Sequence, residues 1–577
     1  MSWLFGVLGR DISEATLSRC KAIHDEPLAT FAGNRNFYVA AGGLPATCCS
    51  SAADTEVGRP PKFWIALGSA FGKIGSQRTR FTKKEWGAVK DEELKNIDGH
   101  FLFLRYENGQ CECFTDGLGL RTVYWAETPD GVVISSRLDW AAKFSCRQSV
   151  DFEKLGSRWI FINQLVYDSP VQGVKRLGPS GRLTVDSNGV TSSFKWFEPT
   201  MSPLSGIDEY THVLMECLNP VIDPRLRMTL GLSGGFDSRL LLSLLLGSGN
   251  SEFHTHTFGN SLEPDVRIAS AIARSESIRH ITLDSPLPPI SEVAGLFKNY
   301  VAETNLVESV STMLRLRHYK DIDPERYYVV DGAFAEVGRR QFLKRLALRG
   351  RKAIALKDAG AVAQILKVAR ADIFNSEVNA LMNRGVENEI ATILDSMPKI
   401  SDIGFGNYLD LWIVRTRVPN FCCDEQARVD GMIVNYMPFN QPSLIKIIFR
   451  IPVEKRKNGN MMRQIITRHR PSLTRHPLIK YDTTYPYSFR NLPAVLFTKT
   501  KSMLGYAYKD TSVMQFLDSA KELIFDLLNS RTTKEYGPYD YSKVAAKIKG
   551  YYGGNQHLSK EVLWWITFEL WRKNIEG

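Results

Sequence analysis

Ser233, Asp237 and Ser238 fall within six residues of one another, interleaved with Gly234 and Gly235, in the run Leu232-Ser233-Gly234-Gly235-Phe236-Asp237-Ser238-Arg239. Hydroxyl donors, a carboxylate able to hold magnesium, and glycines that let backbone N–H groups come close to a ligand together suit a polyphosphate anion. No Gly-Lys-Ser/Thr follows, so the run is not the ordinary P-loop. The elements that must position these groups flank them. Met228-Thr229-Leu230-Gly231 reads as a buried strand. Asp237-Ser238 opens a helix that is apolar nearly all round through Leu246, so it should be buried against a sheet. The positive end of that helix points to the same place as the loop N–H groups, which makes an anion site.

The length of 577 residues allows two to four domains, and 44% hydrophobic with 23% charged residues is an ordinary globular balance. The longest apolar runs are too short to span a bilayer, and the opening ten residues lack a basic region and a full signal core. The nine cysteines form no Cys-x-x-Cys pair and have no histidine-rich company, so reduced, mostly buried thiols in a cytoplasmic protein are expected. A net charge of +11 favours anionic partners, but no nucleic-acid-binding module is legible and none is expected as a partner.

The 233–238 loop resembles the pyrophosphatase loop of the asparagine synthetase family, whose members split ATP into AMP and pyrophosphate. The resemblance extends to the N-terminal region. That family opens its class II glutamine amidotransferase domain with Met-Cys-Gly-Ile-x-Gly, and this chain opens Met1-Ser2-Trp3-Leu4-Phe5-Gly6, with Ser2 in place of the nucleophilic cysteine. Ile97–Phe103, Phe114–Trp125, Val133–Ser136 and Gly173–Gly181 continue the match, while Phe63–Ser69 stands where the family has its Asn-Gly-Glu glutamine contact. The resemblance implies a retained fold with lost glutamine chemistry, since serine is a far weaker nucleophile than cysteine near neutral pH.

Beyond the loop, Phe253–Gly259 reads as a strand, and the resemblance sets its backbone at Thr257 and Phe258 against adenine. His254 and His256 read as sheet residues. Arg326–Val330 is a third strand, followed by Asp331-Gly332-Ala333-Phe334-Ala335-Glu336 where the family carries Gly-x-Gly-x-Asp-Glu. The family's second glycine is lost. Glu336 either replaces the family's aspartate or keeps its glutamate, and it is the second metal ligand beside Asp237. Arg339 or Arg340 could touch phosphate or substrate. Asn435–Asn440, Lys457–Arg463 and Arg475–Tyr481 resemble later family elements, the last bearing the catalytic lysine, here Lys480 with Lys457 in reserve. The tryptophan-rich end, Val562–Trp571, reads as a packed helix rather than a membrane-surface one.

The expected fold is α/β: an Ntn-hydrolase-like sandwich over 1–200, then a doubly wound parallel-sheet domain over 205–577 with a helical C-terminal part. The resemblance implies an AMP-forming carboxylate–amine ligase using ATP and Mg2+, with Leu232, Ser233, Gly234, Gly235, Asp237, Ser238, Thr257, Phe258, Gly332 and Arg339 binding ATP or pyrophosphate, and Glu336 and Lys480 acting in catalysis. A basic member with a disabled glutaminase region most resembles the lasso-peptide macrolactam synthetases, which implies a peptide substrate and a precursor-processing protease as partner. Two alternatives stay open: an ammonia-using amidotransferase of a sugar or amino-acid carboxylate, and an inactive scaffold or regulator.

Overall fold

The computed structural model describes residues 2–9, 11–33, 36–51, 62–74, 77–161, 163–202, 204, 206–250, 252–339, 342–368, 370–480, 483–506, 508 and 511–577, without the side chains of Ile74, Asn491 and Leu492. Arg340, one of the two arginines expected near phosphate, and Tyr481 lie outside the described residues.

The N-terminal part is a pair of antiparallel sheets. The strand Trp3–Leu8 sits inside a six-stranded sheet, between Gly131–Ser135 and Phe37–Gly42. The second sheet is built on the long strand Phe63–Ile74 paired with Asp98–Glu107, and ends at Gly189–Ser193. Leu4, Val39 and Ile134 of one sheet pack against Ile65, Leu102 and Leu104 of the other, so the facing surfaces close into one apolar core. On the outer face of the second sheet, Phe101 and Phe103 are covered by Trp86, Leu94 and Ile97.

A helix over Ile207–Leu218 leads into a five-stranded, wholly parallel sheet. In space its strands run His280–Leu283, Phe253–Phe258, Arg227–Gly231, Tyr327–Val330, Asn435–Tyr436. The chain moves outward from Arg227–Gly231 in one direction, then returns to start again on its other side at Tyr327–Val330. Such a reversal leaves a crevice past the carboxyl ends of the two strands, where open α/β sheets bind ligands. The 232–238 loop follows one of these strands and 331–338 follows the other. The helix Asp237–Gly247 behind the loop buries every residue from Ser238 to Leu245, as its all-round apolar pattern demands. Each of its buried leucines contributes on the order of 2 kcal/mol relative to exposure.

The remainder is mostly helical. A 21-residue helix, Ser376–Ser396, is followed by a 30-residue element, Ile400–Val429, which bends at Gly404 (φ 76°) and carries Pro419. The C-terminal helix Ser559–Glu576 is packed: Trp564, Trp565, Phe568 and Trp571 are buried, and Glu569 is held by Arg572, Thr533 and Tyr539. Among the described residues no helix is long and apolar enough to cross a membrane.

Candidate active site

Asp237 begins its helix with one oxygen paired and one bare. Arg339 Nη2 donates to Oδ2 at 2.6 Å, while Oδ1 is buried with no partner among the described residues. The same guanidinium nitrogen stands 3.8 Å from Glu336 Oε1, so Arg339 bridges the two carboxylates expected to share a metal. Burial pushes the Asp237 carboxyl up to about 7; Arg339 opposes that rise, and Glu336 and Asp331 add to it. Three carboxylates thus crowd one arginine at the crevice. Among the described residues no group of three or more His, Cys, Asp or Glu side chains forms a metal-binding set. The two-carboxylate pair nonetheless fits a hard cation such as magnesium, because Oδ1 is a buried oxygen ligand that Arg339 leaves unbonded.

The helix has no side-chain N-cap, so its first-turn N–H groups are available to an anion. The loop itself is differently occupied from the expectation. Ser233 N–H donates to Ser238 Oγ (3.0 Å), Gly235 N–H to Ser233 Oγ (3.1 Å), and Gly234 N–H to Asp265 Oδ1 (2.7 Å). A carboxylate therefore sits on the loop where phosphate oxygens were expected. Leu232 is fixed from the neighbouring strand, its N–H donating to His256 O at 2.8 Å and its carbonyl accepting from Thr257 Oγ1. Phe258 packs its ring against His318 and Tyr319, 5.3 and 4.9 Å between centroids. His254 and His256 are buried sheet residues; burial lowers their pKa values to about 4 and about 3, so they stay neutral.

The two loops touch directly. A Cβ on Gly332 would lie 3.0 Å from the backbone nitrogen of Ser238, so only glycine lets 331–336 seat against the helix start. Two residues on, Phe334 adopts φ 70°, the left-handed region that glycine occupies without strain and that costs another residue about 1–3 kcal/mol.

Two further arginines, Arg239 and Arg463, complete the surroundings. Arg239, fully buried in an otherwise apolar helix, donates to the carbonyls of Leu473 (3.1 Å), His476 (2.9 Å), Pro477 (2.8 Å) and Gly234 (3.3 Å). Burial lowers its pKa to about 10, against Tyr487 and Tyr485. These bonds tie the 473–477 segment to the loop, and Ile479 presses on Gly234, so the hairpin Leu478–Lys480/Thr483–Tyr485 is seated beside the site with Lys480 on it. Burial lowers the Lys480 pKa, and Lys344 adds to the shift. Arg463 lies over Phe236 and Tyr487, 4.5 and 4.6 Å from the ring centroids, and Arg339 packs on Gly459. Lys457 faces outward toward Glu454 at 4.0 Å. The signal for Arg239 was present in the sequence, as the one charge inside Ser238–Leu246.

Ser2 is in a different setting. It is fully buried, its Oγ bonded to Thr47 and donating to the carbonyl of Asp430 at 3.1 Å. Asp430 caps the long helix Ile400–Val429 and brings a carboxylate into the sandwich, where Arg121 Nη2 donates to it at 2.6 Å and His100 Nε2 lies 2.9 Å away. Arg121 is aimed there because Asp116 accepts the backbone N–H groups of Leu118, Leu120 and Arg121. The space beside Ser2 is thus filled by the protein's own charge network. Ser2→Ala is expected to leave any ligase activity unchanged, and wild type to release no glutamate from glutamine. Glutamate release that the substitution removes would reverse this assignment.

No family model matches the chain, and no curated protein matches it. Solved structures align with parts of it, among them two enzymes of similar kind. A glutamine phosphoribosylpyrophosphate amidotransferase from B. subtilis, complexed with ADP and GMP, shares 9% identity over 57% of this chain and 81% of its own, with a TM-score of 0.21. A structure of the allosteric regulatory enzyme of purine biosynthesis shares 10% identity over 61% and 78%, with a TM-score of 0.21. Similarity at this level decides neither fold nor function, and the architecture rests on the strands and helices described above.

Proposed function

We propose that the chain is an ATP-dependent ligase that activates a carboxylate as its adenylate and joins it to an amine. The observation that carries this reading is Asp237: an unpaired, buried carboxylate oxygen beside an uncapped helix start, at the point where the parallel sheet reverses its strand order. The substrate carboxylate displaces pyrophosphate from the α-phosphorus of ATP. The amine then attacks the acyl carbon, releasing AMP and a proton. Asp237 and Glu336 would hold magnesium, which supplies positive charge to the polyphosphate. Arg339 and the first-turn N–H groups add donors to the departing pyrophosphate. Lys480, on the hairpin pinned by Arg239, is the donor assigned to the tetrahedral intermediate.

The sealed surroundings of Ser2 favour an amine that does not come from glutamine. An amine on the substrate itself benefits from the high effective molarity of two groups held in one cavity, and macrolactam closure of a peptide from its N-terminus to an Asp or Glu side chain is the form proposed. The test is incubation with ATP, magnesium and a leader-processed candidate peptide. The expected products are AMP, pyrophosphate and a peptide lighter by one water. ADP, or a product that has gained an ammonia nitrogen, would reject ring closure, and the latter would support the ammonia-using alternative.

A further inference from the structure

Arg417, on the long helix Ile400–Val429, lies over two phenyl rings, its guanidinium carbon 4.0 Å from the Phe421 centroid and 5.3 Å from that of Phe342. Among the described residues its guanidinium makes no hydrogen bond or ion pair, and Nε is buried without a partner. Burial lowers its pKa, while Cys422, Glu336 and Glu308 act the other way. A largely buried arginine that meets aromatic rings and no hydrogen-bond partner keeps its donors for a ligand, and a planar fork of N–H donors matches a carboxylate.

Arg417 lines a cavity of about 360 Å³ with mainly apolar walls, among them Phe161, Leu165, Phe342 and Trp412, with Lys344 at its side. Lys344 is the cation that acts on Lys480, and Glu336 acts on Arg417, so residues lining the cavity lie within electrostatic range of the candidate active site. Phe334, in its left-handed conformation, packs on Phe421 at 6.1 Å and links the two. Phe161 and Leu165 come from the N-terminal part of the chain, so the cavity draws a wall from each side of the molecule.

We propose that this cavity is an acyl-substrate pocket in which Arg417 anchors a carboxylate and the apolar walls take the body that bears it. The substrate class is a carboxylic acid with an aromatic or branched aliphatic body, free or as a peptide side chain. This inference rests on the ligase reading for the fate of the acid, but the anion site stands on the geometry of Arg417.

Calorimetric titration with 3-phenylpropionate and its neutral analogue 3-phenylpropanamide, without ATP or magnesium, tests the pocket alone. The acid is expected to bind saturably and about tenfold or more tighter than the amide, as for a hydrogen-bonded charge pair. Arg417→Gln should erase that preference, and Arg417→Lys, which keeps charge but not the fork, should weaken acid binding several-fold. Absence of saturable acid binding to wild type, an unchanged preference in Arg417→Gln, or undiminished acid binding in Arg417→Lys would each overturn the assignment. ATP–pyrophosphate exchange measured separately reports on the ligase reading, so the failure of one is distinguishable from the failure of the other.

Discussion

Replacing Asp237 by asparagine is expected to reduce carboxylate-dependent ATP–pyrophosphate exchange by about 10²–10³-fold or more, because it removes both a magnesium ligand and the anionic partner of Arg339. The change should not damage the fold. Burial raises the Asp237 pKa to about 7 from the ordinary carboxylate range, so the folded state prefers this group protonated. Its contribution to stability is complete below pH ~4 and is lost as pH rises through about 7. The linkage is worth at most ~4 kcal/mol, reduced by the fifth of the side chain that remains exposed. Asparagine carries no charge at any pH. Above pH 7 the variant should therefore melt at or above the wild-type temperature, and magnesium should stabilise wild type but not the variant. Thermal melts at pH 5.5 and pH 8, with and without magnesium, check both arms. Exchange near the wild-type rate would refute the assigned site, and a variant that melts well below wild type at pH 8 would refute the electrostatic account.

The second large effect concerns the junction between sandwich and parallel-sheet part. Asp430, His100 and Arg121 are at most 2% exposed. Burial by itself would raise the Asp430 pKa; His100 and Arg121 outweigh it and hold the carboxyl below its ordinary value. Removing one member of a buried pair leaves the other charge uncompensated, which costs about 3–5 kcal/mol. Asp430→Ala should thus shift the first unfolding transition in urea by that amount and speed proteolytic cutting in the 194–206 connection, with Arg121 stranded beside Ser2. A depressed carboxyl contributes stability above the ordinary carboxylate pKa and loses it as pH falls through the folded value, so the gap between wild type and variant should narrow in acid. A variant with the wild-type urea midpoint at neutral pH would mean that the network contributes nothing to holding the two parts together.

Much of the fold was written locally. Apolar strands, the Ser-Gly-Gly turn and the uninterrupted leucines of 240–246 fix a strand–turn–helix by near-neighbour rules, and the structure has it at Arg227–Gly247. The alternating runs near 100 and 114 form paired strands for the same reason. Asp237, Glu336 and Arg339 were legible as candidates because each lies in or beside a short motif, and Lys480 because of the segment that bears it.

What no local rule supplied was which long-range partner each of these would meet. That Arg339 stands between Asp237 and Glu336, that Asp265 takes the Gly234 N–H, and that Arg239 pins the hairpin bearing Lys480 all depend on contacts across 31 to 238 positions of sequence. The fate of Ser2 shows the same division. The sequence alone determined that the nucleophile had changed from the thiol of the resembled family to a hydroxyl. Only the tertiary structure decided that the space beside it is closed, because the filling carboxylate comes from Asp430, 428 residues away, brought there by the end of a long helix and held by Arg121 and His100, whose positions the sandwich sets.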